Sequence, residues 1–427
     1  MDHEAALTGS GGVRPYRLYV LGVLLFVYTF NFIDRVGLAI LATPIKAELH
    51  LTDTELGLLG GTAFALFYTA LGIPVGWLAD RLSRVWIITA ALALWSAFTA
   101  ACGLAHSFAA LFAARLAVGV GEAGGVAPAY SLIADYFPPP SRARALGFYS
   151  IGVPLGSSLG YFFGGYIANG FGWRAAFVVL GLAGLVLAPL LAGTVREPVR
   201  GAYDRPSAAG RGRSVREVAR KLAAKPAFWL VSLGAACSSI MGYGLLFWLP
   251  AFFMRSYDMT LAEVSRLLGT LLLIGGIAGI ALGSYLADRL GPKRPGAYAL
   301  IPAAAFILIP PCYAVGTSLR PGPLAYLCFL LPAALQLAWL GPVIAAIQRL
   351  VPATMRALAS AIFLFINNLL GLGLGSLLLG FASDRLVGRF GAASLRYAIQ
   401  GGTVFYILAA ALLLLAARRL ARDFEPA

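Results

Sequence analysis

Twelve apolar runs, each long enough to cross a lipid bilayer, divide this chain and leave little of it for anything else. A bilayer core takes about 20 apolar residues per helix. Runs of that kind lie near 17–43, 54–79, 85–105, 108–134, 142–168 and 173–194, then near 226–253, 262–286, 296–316, 323–349, 355–382 and 395–417. Prolines and glycines inside them are compatible with helices in lipid, where neighbouring helices satisfy the freed backbone groups. The longest polar stretch, Arg196 to Lys225, is too short for a soluble domain. Only 12% of residues are charged and 60% are hydrophobic, against roughly 25% charged in soluble domains. The fold class is therefore an all-α polytopic membrane protein.

Several function classes fall away at once. The N-terminal MDHEAALTGSGGVRPYR is polar and acidic and runs straight into a full-length span, so it reads as a retained tail rather than a signal peptide. Cys102, Cys237, Cys312 and Cys328 sit in apolar runs without a CxxC pair, and the histidines at 3, 50 and 106 are scattered. That pattern offers no metal site and no cofactor. No GxxxxGK[ST] loop is present, so ATP is not the energy source. No Ser/Lys, HExxH or paired-aspartate constellation sits at mid-depth, which argues against an intramembrane enzyme, and a sensor would add a soluble output domain.

The net charge of +15 does not call for nucleic acid, because topology accounts for it. With both termini cytoplasmic, the inner segments hold 23 of the 33 lysines and arginines, as the positive-inside rule requires. The expected location is a bacterial inner membrane, as a monomer whose partners are the bilayer, protons and a small substrate. The chain also nearly repeats itself. WLADRL at 77–82 returns as YLADRL at 285–290, each in the first inner loop of its half. Two six-helix halves follow, giving a cytoplasmic tail over 1–16, a bundle over 17–194, a linker over 195–225, a second bundle over 226–417 and a C-tail over 418–427. A third such motif, ASDRL at Asp384, is off this rhythm and reads as an ordinary helix end. In the linker, SVREVARKLAAK has Val215, Val218 and Leu222 at helical spacing among basic residues. It predicts a short amphipathic helix on the anionic inner leaflet.

Two six-helix halves with Gly76, Trp77, Leu78, Ala79, Asp80, Arg81, Leu82, Ser83 and Arg84 after span two resemble the major facilitator superfamily. The resemblance covers essentially the whole chain and implies two pseudo-symmetric bundles. It places Asp80 against the positive end of span eleven, near Met355 and Arg356, and Asp288 against span five near Ser141 and Arg142. Arg81 or Arg84 can pair with Asp135 at the end of span four. Together these contacts form a cytoplasmic gate. YTFNFIDRVGLAIL and RLAVGVGEAGGVAPAYSLIADYFPPPSRARALG, read with that loop, are similar to the spinster-like branch. The branch is associated with lysolipid and sphingolipid-phosphate transport in animals.

Charged residues inside spans are costly and point to function. Four lie near mid-depth, all in the first half: Asp34, Arg35, Arg115 and Glu122. Arg115, Gly119 and Glu122 share one helical face, as do Asn31 and Asp34, and Tyr28 and Arg35. Asp34 and Arg115 fall at similar depth, with Glu122 deeper. The superfamily resemblance implies that spans one and four line the cavity, so the four charges can form one cluster. The arginines stay protonated. A carboxylate beside them is held ionised, and one that loses its partner in an apolar cavity takes up a proton. A shape change that makes or breaks such pairs therefore moves protons. Asp34 and Glu122 are the candidate proton-coupling sites, as the spinster resemblance also implies. Arg35, Arg115, Asn31 and Tyr28 are candidate charge or substrate partners.

The second half carries no charge at mid-depth. Its candidate lining is Tyr243, Phe247, Trp248, Gln336, Phe363, Asn367 and Asn368. A charged wall opposite an aromatic one suits an amphiphile. Span five has Gly152, Gly156, Gly160 and Gly164 at four-residue spacing, a groove for close helix approach. Span eight has Gly275, Gly276, Gly279 and Gly283, and in the superfamily these two helices meet across the halves. The expected function is a proton-driven secondary transporter of a lipid-like or amphipathic organic anion. A small hydrophilic anion or a drug-type substrate is the alternative. Few hydrogen-bonding side chains in the second half disfavour a sugar-like cargo, and Tyr161 after Gly160 departs from the drug-antiporter pattern.

Overall fold

A computed structural model of the protein describes residues 13–79, 81–200, 203, 215–352 and 355–425. Among these there are helices and no strands. Ten helical stretches are long and apolar enough to cross a membrane. Two of them, Arg144–Thr194 with 51 residues and Leu358–Asp423 with 66, are each long enough for two crossings. Each has a glycine at its break: Gly172 at φ 84° and Gly391 at φ 54°. That backbone region favours glycine because a Cβ clashes there. Twelve crossings result.

Span one is Val13–Leu49. Span two runs from Asp53–Gly57 through a π-helical turn, Leu58–Thr62, into Ala63–Ala79. Span three is Arg84–Cys102. Span four is Phe108–Glu122 and Val126–Tyr136. Pro139–Ser150 and Gly152–Thr194 make spans five and six, divided at Gly172. Span seven is Pro226–Ser256, span eight Leu261–Leu290 and span nine Ala297–Gly316. Span ten is Pro323–Leu335 and Leu340–Arg349, span eleven Arg356–Phe390, and span twelve Ser394–Gly402 and Val404–Asp423. Starts follow local chemistry. Thr52 with Glu55, and Thr260 with Glu263, form capping boxes, and Ser83 and Ser107 accept from backbone N–H groups of the first turn. Spans four and ten, each a single apolar run in the sequence, are interrupted midway. The first break follows Glu122 at the Gly124–Gly125 pair, and the second begins at Gln336.

The chain divides into two compact units. One takes in the described residues within Met1–Gly37 and Phe67–Ala208, the other those within Leu38–Leu66 and Ala209–Ala427. In the first unit, spans three and six meet at small residues, where a β-carbon on Gly181 would strike the Ala100 backbone. The glycine face of span five is filled by span one. A β-carbon on Gly156 would lie 2.7 Å from Phe32 Cβ, and one on Gly160 would lie 3.0 Å from the Ile33 carbonyl oxygen. Gly152 faces Tyr28 in the same way, and Gly164 is buried. Gly275, Gly279 and Gly283 of span eight press on Ala333, Ala334 and Ala338 of span ten. Each of these glycine faces lets two helices of one unit touch backbone to backbone.

In the second unit, span seven packs on spans eleven and twelve, and span eight on span ten. Residues 53–62 lie along span eleven, where β-carbons on Gly57 and Gly380 would meet the Ser376 and Asp53 carbonyls. Thr62 Oγ1 donates to the Gly373 carbonyl at 2.7 Å, and Ser376 Oγ to the Gly57 carbonyl at 2.8 Å. The linker helix is Val215–Ala223. Its apolar residues Val218 and Leu222 are fully buried against spans seven and eleven. That corrects the leaflet expectation, because the apolar face is covered by protein and not by lipid. Lys225 Nζ fastens the chain end nearby, donating to the Leu350 and Asp423 carbonyls at 2.6 Å and to Glu425 at 2.7 Å.

Candidate functional site

The four intramembrane charges come together in the first unit. Arg35 Nε donates to Glu122 Oε2 at 2.7 Å, joining spans one and four. The Arg35 guanidinium also lies 4.5 Å from the Tyr68 ring centre and 5.0 Å from that of Phe32, positions that favour a cation. Asp34 is 2% exposed, Arg115 1% and Glu122 fully buried. Asp34 lies within electrostatic range of both Arg115 and Glu122. Two carboxylates and two guanidinium groups thus share a region without bulk water. Such a set persists only where charges offset one another.

Local sequence explains the placement. Gly121 lets span four lie on the Trp95 backbone of span three, and Gly124 lets it lie on Ala91. The helix stops at Glu122, so the acid sits on a helix end inside the bundle. Asn31, 2% exposed, stands beside Glu122, and Trp95 and Thr99 of span three stand beside Asp34. Tyr28 stacks on Tyr149 of span five, ring centres 4.4 Å apart and planes 6° from parallel. Trp95 and Thr99 were not singled out from sequence. Their helical spacing of four residues on a span crossing near Asp34 is the signal that carried them.

The residues expected at the gate separate. Arg84 does pair with Asp135, at 2.5 Å, and its Nε also meets Glu197 Oε1 at 2.7 Å. Arg81 instead caps the Trp77 carbonyl at 3.2 Å and lies over the Trp77 ring. Arg142 donates to the Ala134 carbonyl of span four at 2.7 Å. Gly76 is helical, with open space where a β-carbon would be. Arg356 begins span eleven and is exposed. Asp288 is exposed and forms no ion pair with the described residues of its own unit. Asp80 lies outside the described residues. Glu197 was missed. It accepts from the Val85 N–H at 3.0 Å and from Ser83 Oγ at 2.9 Å. Burial works against its ionisation, but the Val85 N–H, Arg84 and the Ser83 hydroxyl outweigh it and hold the carboxyl below its ordinary value.

A second ionic cluster, also missed, lies in the second unit at the far end of the helices from the described chain ends. Asp53 accepts from Arg255 Nη1 and Nη2 at 2.7 and 2.8 Å, from Lys46 Nζ at 2.5 Å and from Ser383 Oγ at 2.7 Å. Asp384 accepts from the Thr54 N–H at 2.7 Å and the Asp53 N–H at 3.1 Å, capping the start of span two. The ASDRL segment is thus more than a helix end. The cluster draws on four spans, and no local spacing relates its members.

The candidate lining of the second half is corrected in part. Trp248 and Phe363 are fully buried; Trp248 Nε1 donates to the Ser376 carbonyl at 2.7 Å, and Phe363 packs on Trp339 with ring centres 6.2 Å apart. Phe247 is buried against Gly60. Asn367 accepts from Ser239 Oγ at 2.9 Å. Tyr243 and Gln336 remain half-buried.

Comparison with known proteins agrees with this architecture. Residues 24–376 match the family model described as Major Facilitator Superfamily. The chain is 36% identical over 383 residues to an MFS-type efflux pump of Mycolicibacterium smegmatis, covering 89% of this chain and 87% of that one. It is 30% identical to human protein spinster homolog 1, over 88% of this chain and 75% of that one. The crystal structure of a bacterial homologue of the human lysosomal transporter spinster, inward-facing and unoccupied, superposes with a TM-score of 0.88. It is 33% identical, over 97% of this chain and 99% of that one. With its twelve crossings, its repeated loop and these likenesses, the chain belongs to the Major Facilitator Superfamily as a spinster-like transporter.

Proposed function

We propose that the chain is a proton-coupled secondary transporter, working by alternating access, for a lipid-like or amphipathic organic anion such as a lysolipid. The observation that carries this is the Arg35–Glu122 pair inside a buried set of two acids and two bases. An arginine stays charged at any working pH. When Glu122 takes a proton, its hold on Arg35 weakens, and the guanidinium is free to meet an anionic head. Proton and anion are thereby linked through one side chain. Asp34 is the second protonation site, with Arg115 as its charge partner. The excess of lysine and arginine on the segments beside the termini supports a cytoplasmic position for both ends in the inner membrane.

The Asp53 cluster supports the alternating part. It ties the ends of spans one and two to spans seven and eleven by charge-assisted bonds that can break as a set. A second reading, export of a drug-type amphiphile, is favoured by the 36% identical relative that is an efflux pump.

The test is reconstitution in liposomes with an imposed pH gradient, screening lysolipids, hydrophobic drugs and hydrophilic anions side by side. Proton-driven movement of lysolipid supports the proposal. Movement of hydrophilic anions alone overturns the amphiphile reading, and uptake indifferent to the pH gradient overturns the coupling.

A further inference from the structure

A short turn on the far side of a membrane is ordinarily poor in lysine and arginine. The turn between spans eleven and twelve is rich in arginine. Arg385 and Arg389 end span eleven and Arg396 begins span twelve, at the end of the second unit away from the described chain ends. None of the three forms an ion pair among the described residues. The adjacent acid, Asp384, accepts instead from the Thr54 and Asp53 N–H groups. The negative end of span eleven favours a cation at Arg389. Arg396 stands in the first turn of its helix, where the positive end disfavours one.

Each guanidinium lies over a ring: Arg385 is 5.0 Å from the centre of Phe381, Arg389 5.3 Å from that of Phe390, and Arg396 5.7 Å from that of Tyr397. The Phe390 and Tyr397 rings are 4.1 Å apart, so Arg389 and Arg396 belong to one patch. A stacked guanidinium is held in place and still presents its N–H edge, the fork that fits a phosphate. Arg396 Nη2 donates to Ser318 Oγ at 2.8 Å, and its Nε has no hydrogen-bond partner. Phe381, Arg385, Gly388 and Arg389 recur at helical spacing on one face of span eleven, and all four are exposed. A β-carbon on Gly388 would meet nothing within 4 Å. Phe381 belongs to the apolar run that ends near residue 382. This open face therefore passes from an apolar ring to guanidinium groups, as a lipid passes from acyl chain to phosphate. A free anion in water would have no use for the apolar part.

We infer that Arg385, Arg389 and Arg396 form a binding site for the phosphate head group of an anionic phospholipid in the leaflet away from the chain ends, with Phe381 against its acyl chain. The inference rests on the orientation proposed above, which makes this the outward side. The bound phosphate supplies the negative charge that the protein does not, and it bridges the end of span eleven to the start of span twelve.

Quenching by spin-labelled lipid tests this. The full chain without its four native cysteines carries Gly388→Cys labelled with bimane and is reconstituted in phosphatidylcholine vesicles. Phosphatidylglycerol and phosphatidylcholine bearing the same nitroxide acyl chain are titrated in turn. Phosphatidylglycerol is expected to quench at a mole fraction about fivefold lower or less, the effect of at least one arginine at a lipid phosphate. Adding Arg385→Gln, Arg389→Gln and Arg396→Gln should remove the preference, with the melting profile confirming that the variant is folded. Arg418→Gln with Arg419→Gln, at the other end of the unit, should leave it intact. Equal quenching by the two lipids, or a preference that survives the triple substitution, overturns the site. Loss of the preference in millimolar inorganic phosphate would make the ligand a free anion, and displacement by lysophosphatidylglycerol far below the phosphatidylglycerol level would make it cargo; either overturns the phospholipid assignment. Orientation is read separately by an impermeant maleimide on Ala392→Cys in intact bacterial cells. Labelling only after lysis places the turn inside, where arginines are ordinary, and overturns the orientation and the inference together. Outward labelling without lipid preference overturns the inference alone.

Discussion

Arg35 and Glu122 meet across spans one and four at 2.7 Å through Nε, leaving the outer fork of the guanidinium over Tyr68 and beside Phe32. The contact joins the two helices that carry all four intramembrane charges. Its geometry belongs to a planar guanidinium. A lysine provides a point charge at the end of a flexible stem and cannot bond and stack in the same way. Arg35→Lys is therefore expected to keep the charge yet lose about 2 kcal/mol of the arrangement. Proton-driven uptake in liposomes should fall by more than tenfold, with protein yield unchanged. Wild-type uptake by the lysine variant would remove Arg35 from the coupling step.

Asp53→Asn removes the anion that Arg255 and Lys46 share. Hydrogen bonds to charged groups contribute about 1.5–3 kcal/mol each, so the far ends of spans one and two should loosen from spans seven and eleven. Leu51, 6% exposed and two residues away, is a suitable reporter. In a background without the four native cysteines, Leu51→Cys should react with a maleimide roughly tenfold faster when Asp53→Asn is added. Equal rates would show that the cluster holds nothing closed.

Gly156→Val inserts a side chain between spans five and one, where the Thr29 carbonyl and Phe32 already fill the space. Over-packing of this kind costs about 1–3 kcal/mol or more. The detergent-solubilised variant should melt several degrees below the wild type. Gly22→Ala, with nothing within 4 Å of its β-carbon position, should not.

Glu197 is held below its ordinary value of 4.5 by the Val85 N–H, Arg84 and the Ser83 hydroxyl despite its burial. A lowered carboxyl contributes stability that is complete above the ordinary value and lost as pH falls through the lowered one. Glu197→Gln should reduce the melting temperature at neutral pH, and the difference should shrink as the buffer is taken below pH 4.5. A constant difference at all pH values would assign the effect to packing.

The architecture was legible because lipid allows few solutions. Runs of apolar length, the repeated LADRL and the lysine–arginine asymmetry all concern local composition or its recurrence. Arg35, Glu122, Asp34 and Arg115 were legible for the same reason, since a charge in an apolar run stands out. The Asp53 cluster was not, because Lys46, Asp53, Arg255 and Ser383 sit at span ends, where charges are ordinary, and only the tertiary fold brings them together. Trp95 and Thr99 look like packing residues in sequence, and their polar atoms matter only beside Asp34. The glycine faces were legible as close approaches, but the helices that fill them within each unit were not, because spacing reveals that a helix is approached and not by which helix.

The most direct test of the account is proton movement through the cluster itself. Liposomes loaded with a pH-sensitive dye and containing the wild-type protein should report proton flux when a lysolipid gradient is applied. Glu122→Gln, which mimics a carboxyl that never releases its proton, should abolish that flux, and Asp34→Asn should do the same. Undiminished proton flux in both variants would contradict the account.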